Sequence, residues 1–264
     1  MSTAAHDRRI ALAQSAVAAQ IPLFDQGFGA VESDWKSDGT RVTSADLAIS
    51  QNLQDAILAV FPADQFFSEE LAEVREIAVT SRFSWILDPI DGTNNFALGI
   101  PNCAIALALC EDGEPIYGVI YDYGRRRILR GGPGYGVFDG ENPAVVSQAE
   151  PGGKAIIGFH SPVERGRYPG HAEAIAAVSK IRALGSSTLH LAYTAVGLLD
   201  GTVDHNVRLW DIAAAIPMVR AAGGEVRFLG PSPLPLRCFS TDMDRIFYVA
   251  GSTSMCDGLE AALS

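Results

Sequence analysis

Cys103 to Cys110 reads Cys-Ala-Ile-Ala-Leu-Ala-Leu-Cys, eight positions without a polar side chain. A strand with one wet face alternates polar and apolar residues, so an unbroken apolar run suits a strand covered on both faces. Such a strand demands material above and below its sheet. Nearby, Phe83-Ser84-Trp85-Ile86-Leu87 is a second β-prone run, ending at Asp88-Pro89. Ile116 to Tyr121 resumes as a strand after the turn Glu111-Asp112-Gly113-Glu114-Pro115, and Gly131-Gly132-Pro133-Gly134 punctuates a further hairpin.

Helical patterns supply the covering layers. Ile10, Ala13, Val17, Ile21 and Phe24 recur at helical spacing and predict an amphipathic first helix. Residues 32–42, with Lys36 and Gly39, read as a loop. Thr43-Ser44-Ala45-Asp46 has the form of a capping box, and Leu47, Leu53, Ile57, Leu58 and Phe61 carry that helix to Pro62. Residues 171–179, 188–199 and 211–222 read as helices, and a last helix follows Thr253. Segments 155–159, 225–229 and 246–250 read as strands. The stretch near 140–153 is the boundary between an N-terminal α/β half, 1–145, and a C-terminal α/β half, 146–264, within one compact unit. The expected class is a layered α/β protein.

Composition narrows the function classes. A net charge of -11 argues against a nucleic-acid backbone or an anionic membrane as the main partner. An acidic protein that binds an anionic ligand needs a cation in its site. The four cysteines, Cys103, Cys110, Cys238 and Cys256, form no CxxC pair and no zinc spacing, so they read as reduced thiols. Arg8-Arg9 before a short apolar stretch faintly imitates an export signal, but Gln14, Ser15 and Gln20 interrupt it. A cytoplasmic protein is expected.

The chemistry-bearing segment is Trp85-Ile86-Leu87-Asp88-Pro89-Ile90-Asp91-Gly92-Thr93-Asn94-Asn95-Phe96. An apolar strand delivers two aspartates into a loop bent by proline and glycine. Gly92 permits close backbone approach to a ligand, and free N–H groups near Gly92-Thr93 suit a phosphate. An acidic surface turn is the plain alternative. Glu69-Glu70 follow Phe66-Phe67-Ser68, and Asp211 precedes the helical run Ile212-Ala213-Ala214-Ala215, where an N-cap is the ordinary explanation.

With Leu209-Trp210-Asp211-Ile212-Ala213-Ala214-Ala215, Ala222-Gly223-Gly224, Ser68-Glu69-Glu70, and Lys36 with Val42-Thr43-Ser44-Ala45-Asp46, this segment resembles the inositol monophosphatase family of metal-dependent, lithium-sensitive phosphatases. The resemblance runs from about residue 8 to the C-terminus. It implies an αβαβα sandwich of the inositol monophosphatase/fructose-1,6-bisphosphatase type and a homodimer. It also implies a site with two or three Mg²⁺ ions. Glu69, Asp88 and the Ile90 carbonyl would hold the first metal, Asp88, Asp91 and Asp211 the second, and Glu69 would face a weaker third. Thr93, polarised by Asp46, would orient and deprotonate the attacking water. Gly92 and Thr93 would hold the phosphate.

Elementary electrostatics agrees with this implication. Carboxylates ~5 Å apart repel by about 3 kcal/mol per pair at an effective dielectric near 20, so a cluster survives only protonated or filled with cations. Oxygen ligands without His or Cys favour Mg²⁺ over Zn²⁺. Two such ions would activate a water and stabilise the leaving alkoxide, and direct attack by water is the expected route.

The substrate is expected to be a small phosphorylated polyol, inositol 1-phosphate first, or an amino-alcohol phosphate. Family members often place an acidic residue seven positions before the second-motif aspartate against substrate hydroxyls; here it is Asp204, shorter than the usual glutamate. Val207-Arg208-Leu209-Trp210-Asp211 and Lys36-Ser37-Asp38-Gly39-Thr40 resemble histidinol-phosphate phosphatases, whereas Asn94 to Pro101 resembles the inositol branch. Ser161, Ser186 and Ser187 fall where the family lines its pocket, Ser187 and Asp91 being expected substrate contacts. His160 reads as a structural histidine rather than a pocket residue, His190 takes no catalytic role, and Arg125 to Arg127 read as a solvated turn. A haloacid-dehalogenase site would space its aspartates two apart near the N-terminus, which this chain does not. A regulatory protein that binds metal and phosphate without catalysis is the competitor from another class.

Overall fold

A computed structural model describes residues 3–30, 33–35, 41–71, 76–160, 163–164 and 166–264. Lys36 and Ser161 lie outside the described residues. The N-terminal elements are α1 (Thr3–Gly27), paired strands β1 (Ser33–Trp35) and β2 (Arg41–Thr43), α2 (Ser44–Val60), β3 (Gln65–Ser68), β4 (Ile77–Ala78), β5 (Phe83–Asp91) and α3 (Thr93–Leu98). Strands β6 (Ala104–Glu111), β7 (Glu114–Asp122), β8 (Arg127–Gly132), β9 (Gly136–Asp139) and β10 (Asn142–Pro143) follow. The remainder is β11 (Ile156–Phe159), α4 (His171–Val178), β12 (Lys180–Arg182), α5 (Ser187–Ala195), β13 (Gly201–Val207), α6 (Leu209–Ala213), α7 (Ala215–Ala221), β14 (Glu225–Phe228), β15 (Cys238–Phe239), β16 (Ile246–Gly251) and α8 (Thr253–Leu263).

Two sheets organise the layers. One has seven strands in the order β10-β9-β8-β7-β6-β5-β3, the other five in the order β12-β11-β13-β16-β14. The apolar run Cys103–Cys110 becomes β6 at the heart of the larger sheet, and its side chains alternate between two cores. Ile105, Leu107 and Leu109 pack with Ile10, Val17, Phe24, Ile49 and Leu53 of α1 and α2. Ala104, Ala106, Ala108 and Cys110 pack with Leu189, Leu191, Ile212, Ile216 and Val219 of α5, α6 and α7. That middle helical layer also meets Val207, Tyr248 and Ala250 of the smaller sheet. Val203 and Val249 of that sheet face Ile175 of α4 and Met255, Cys256 and Leu259 of α8 on its far side. The architecture is the αβαβα sandwich.

Small residues set the layer spacing. A Cβ on Gly118 of β7 would stand 1.7 Å from the Ala214 carbonyl oxygen, so only glycine admits the α6–α7 junction there.

Two sequence expectations are corrected. The strand read as ending at Asp88-Pro89 continues to Asp91. Pro89 is tolerated because the pairing shifts register between Asp88 and Asp91, and a bulge does not need that ladder N–H. Arg125 is not simply solvated: it reaches Asp139 at 2.5 Å and lies 3.8 Å from the buried Asp122.

Candidate active site

The bulge in β5 creates the site. On a regular strand, residues three apart point to opposite faces. Here Asp88 pairs with Ala106 and Asp91 with Ala104, so three steps on β5 match two on β6. Both aspartates therefore share the face of Ala104 and Ala106, towards the middle helical layer. Asp211, in the first turn of α6, enters from that layer. Oxygen atoms of Asp88, Asp91 and Asp211 lie within 4.8 Å of one another.

Each carboxylate is held. Asp88 Oδ1 accepts from the Ile90 N–H at 3.2 Å. Asp91 Oδ2 accepts from the Ser186 hydroxyl and from the Thr188 N–H at 3.1 Å. Asp211 Oδ2 accepts from the Arg208 N–H at 2.7 Å, and the Asp211 carbonyl accepts from the Thr188 hydroxyl at 2.6 Å. The sequence reading missed Thr188 and the bond from Ser186; the Ser-Ser-Thr run opening a helix was the available signal, since such residues cap helices and leave hydroxyls to spare.

The electrostatics is strained without a counter-charge. Burial pushes Asp91 up to about 7, opposed by the bonds from Ser186 and Thr188 and reinforced by the charges of Glu69 and Asp204. Asp88 is raised well above the ordinary range, first by burial and then by Glu69, Asp91, Asp211 and Asp46. Asp211 is raised likewise, by burial and then by Asp91 and Glu69. Glu69 thus stands close enough to act on all three, and its own N–H meets the Leu87 carbonyl at 3.4 Å.

The turn after β5 is built around Gly92, whose φ of +82° is a conformation side chains disfavour. A Cβ there would fall 2.8 Å from the Asn102 carbonyl oxygen. Thr93 Oγ1 donates to the Ile90 carbonyl at 2.9 Å. Asp46 Oδ2 accepts from the Thr43 N–H and hydroxyl at 2.7 and 2.6 Å, completing the capping box of α2, and its charge also acts on Asp88. The Glu70 N–H meets Ser68 Oγ at 3.3 Å, which places Glu70 in the turn beside Glu69.

Beyond Asp91 lies a second group. Ser187 Oγ donates to Asp204 Oδ2 at 2.9 Å and lies 3.2 Å from His160 Nδ1. His190 is buried: burial pushes it down to about 3, and its Nε2 accepts the Leu184 N–H at 2.9 Å.

The donors fit a divalent hard cation. They are carboxylate oxygens, clustered, buried and reluctant to ionise beside one another, with neither His nor Cys among the three.

A model of the inositol monophosphatase family matches residues 6–244. The chain belongs to the inositol monophosphatase family. It is 34% identical over 221 residues to a probable inositol 1-monophosphatase ImpA of Mycobacterium tuberculosis, covering 80% of each chain. A histidinol-phosphatase of the same organism is also 34% identical, over 215 residues, covering 76% of this chain and 80% of the relative. Among solved structures, the extragenic suppressor protein SuhB of Bartonella henselae superposes with a TM-score of 0.83 at 29% identity, covering 99% of both chains. As an inositol monophosphatase family member the chain is a phosphoric monoester hydrolase of a metal-dependent kind. The carboxylate cluster is its candidate metal centre.

Proposed function

We propose that the chain is a Mg²⁺-dependent phosphomonoesterase acting on a small polyol phosphate, inositol 1-phosphate foremost. The observation that carries this reading is the meeting of Asp88, Asp91 and Asp211 oxygens within 4.8 Å, inside a chain whose net charge is -11. Glu69, Asp88 and the Ile90 carbonyl would hold one ion, Asp88, Asp91 and Asp211 a second, and Glu69 would face a third. Bound ions supply positive charge that makes water a stronger acid and offsets charge on the phosphoryl and leaving oxygens.

The protein's own residues orient the rest. The Gly92-Thr93 turn presents backbone N–H groups to the phosphate. Thr93 and Asp46 orient the attacking water, and Thr93 Oγ1 is already fixed by the Ile90 carbonyl at 2.9 Å. Asp91, Ser187 and Asp204 lie towards the alcohol half of the substrate. Halves 1–145 and 146–264 work as one unit, because Asp88 and Asp91 come from the first and Asp211 from the second.

Finer readings go with this one. A homodimer in the cytoplasm, inhibited by Li⁺, accords with the family. No helix among the described residues is long and apolar enough to cross a membrane. The acidic balance disfavours nucleic acid and anionic membranes as partners. Histidinol phosphate is the second substrate candidate, favoured by the 34% identity to a histidinol-phosphatase.

Phosphate release from inositol 1-phosphate, histidinol phosphate, fructose 1,6-bisphosphate and adenosine 3',5'-bisphosphate, each with Mg²⁺ and with chelator, tests the proposal. Chelator-sensitive turnover, fastest on inositol 1-phosphate, is expected. Binding of metal and phosphate without turnover of any monoester would move the chain to a regulatory role.

A further inference from the structure

Strand β11 ends, at Phe159, beside the middle of the parallel strand β13. Phe159 pairs with Val203, so His160 follows directly beside Asp204. Both project to the face of α5, where Ser187 opens the helix.

The three side chains form an ordered relay. Ser187 Oγ gives its only proton to Asp204 Oδ2, 2.9 Å away. His160 Nδ1 lies 3.2 Å from Ser187 Oγ and 3.7 Å from Asp204 Oδ2. With Asp204 ionised, the serine proton is committed to the carboxylate, and the proton in the His160–Ser187 bond then sits on Nδ1. A neutral imidazole then has a bare lone pair on Nε2. Asp204 also accepts from the Asn206 N–H at 3.0 Å. Among the described residues, every polar atom of the relay therefore has a partner except Nε2.

Exposure distinguishes the members. The Asp204 side chain is 0% exposed, while the His160 side chain is 25% exposed. Ser187 is also buried. The imidazole is the part of this cluster that an incoming molecule meets, and the carboxylate lies beneath it. The cluster adjoins the metal centre through the chain itself: Ser187 sits between Ser186 and Thr188, both of which bond Asp91.

We propose that His160 is the specificity-determining residue of this site, reading a hydroxyl on the alcohol half of the phosphomonoester while Ser187 and Asp204 hold its ring in position. The inference rests on the phosphomonoesterase reading above. It assigns the exposed contact to the imidazole, and it gives Asp204 and Ser187 the part of positioning residues. The substrate class it selects has an O–H donor close to the phosphate ester. A hydroxyl-free alcohol phosphate leaves Nε2 without a partner.

Inositol 1-phosphate and cyclohexyl phosphate, the same ring without its hydroxyls, provide the test. The readout is the ratio of their kcat/KM values with saturating Mg²⁺. In wild type the hydroxylated substrate is preferred, and in His160→Ala that preference shrinks by about 10- to 100-fold. His160→Gln, which returns an acceptor near the Nε2 position, recovers part of it. Ser187→Ala, which frees the ring to turn, lowers the preference less than His160→Ala does. Melting temperature and calorimetric Mg²⁺ binding of each variant identify any that fails to fold or to load metal. A ratio unchanged in a folded His160→Ala overturns the inference, and so does a wild type without preference. Absence of Mg²⁺-dependent turnover of both substrates by wild type is a different outcome, which removes the phosphomonoesterase reading and this inference with it.

Discussion

The Thr188 N–H donates to Asp91 Oδ2 at 3.1 Å, joining the first turn of a C-terminal helix to the end of an N-terminal strand. The Ser186 hydroxyl meets the same oxygen. A carboxylate that must face two neighbours of like charge is thus oriented from the opposite half of the chain. Ser186→Ala removes one of these bonds and leaves the carboxylate itself in place. It should weaken Mg²⁺ binding about 10-fold, the usual scale for a group that orients a metal ligand. Calorimetric titration with Mg²⁺ checks this, and unchanged affinity would deny the serine its orienting part.

Asp88→Asn separates stability from activity. Asp88 is buried at 2% exposure and held well above its ordinary pKa by burial and by Glu69. Removing its charge relieves repulsion, so the metal-free melting temperature should hold or rise. Activity should fall about 1,000-fold, equivalent to about 4 kcal/mol of lost transition-state stabilisation. Thermal unfolding without metal, alongside phosphate release with Mg²⁺, measures both. Near-wild-type activity would dismiss Asp88 as a metal ligand.

The raised carboxylates also fix a pH dependence. An aspartate titrates near 4 in the unfolded chain, whereas Asp91 is pushed up to about 7 in the fold. Between those values the native state binds more protons than the unfolded state. The metal-free protein therefore loses this contribution to stability as pH rises from about 4 to about 7. Mg²⁺ takes the place of those protons, so its stabilising effect should grow across the same window. Melting curves with and without Mg²⁺ at pH 5 and pH 8 should show the larger metal-induced shift at pH 8. Equal shifts would mean that metal binding releases no protons.

Gly92→Ala tests the turn after β5. The φ of +82° strains any side chain, and the new methyl carbon would stand 2.8 Å from the Asn102 carbonyl oxygen. Backbone strain of this sort costs about 1–3 kcal/mol. A lower melting temperature and a higher KM are expected together, because the turn folds the chain and is proposed to present N–H groups to the phosphate. A lower melting temperature with KM unchanged would remove the turn from phosphate binding.

How much of this was legible before folding differs from element to element. The apolar run of β6 announced a doubly covered strand because alternation with water was absent along it. The capping box at Thr43 was legible because its bonds are local, three residues apart in sequence. Asp88 and Asp91 were legible as a motif, yet their shared face depended on a bulge that no spacing rule specifies. The helix read at 211–222 is broken into α6 and α7 and starts earlier, at Leu209. Strand β13 went unread because Thr202, Asp204, His205 and Asn206 disguise it: the polar residues on one face serve the site and α5. His160 looked structural because its partners, Ser187 and Asp204, stand 27 and 44 positions away, and only the pairing of β11 with β13 brings them together.

Everything proposed for the site depends on Asp88, Asp91 and Asp211 sharing a divalent cation. Anomalous diffraction from crystals soaked in Mn²⁺, a scatterer that takes the same oxygen ligands as Mg²⁺, tests it most directly. A strong anomalous peak among the three carboxylates, displaced by excess Mg²⁺ and absent in Asp211→Asn, is the predicted result. Fully soaked wild-type crystals with no peak among those carboxylates would contradict it.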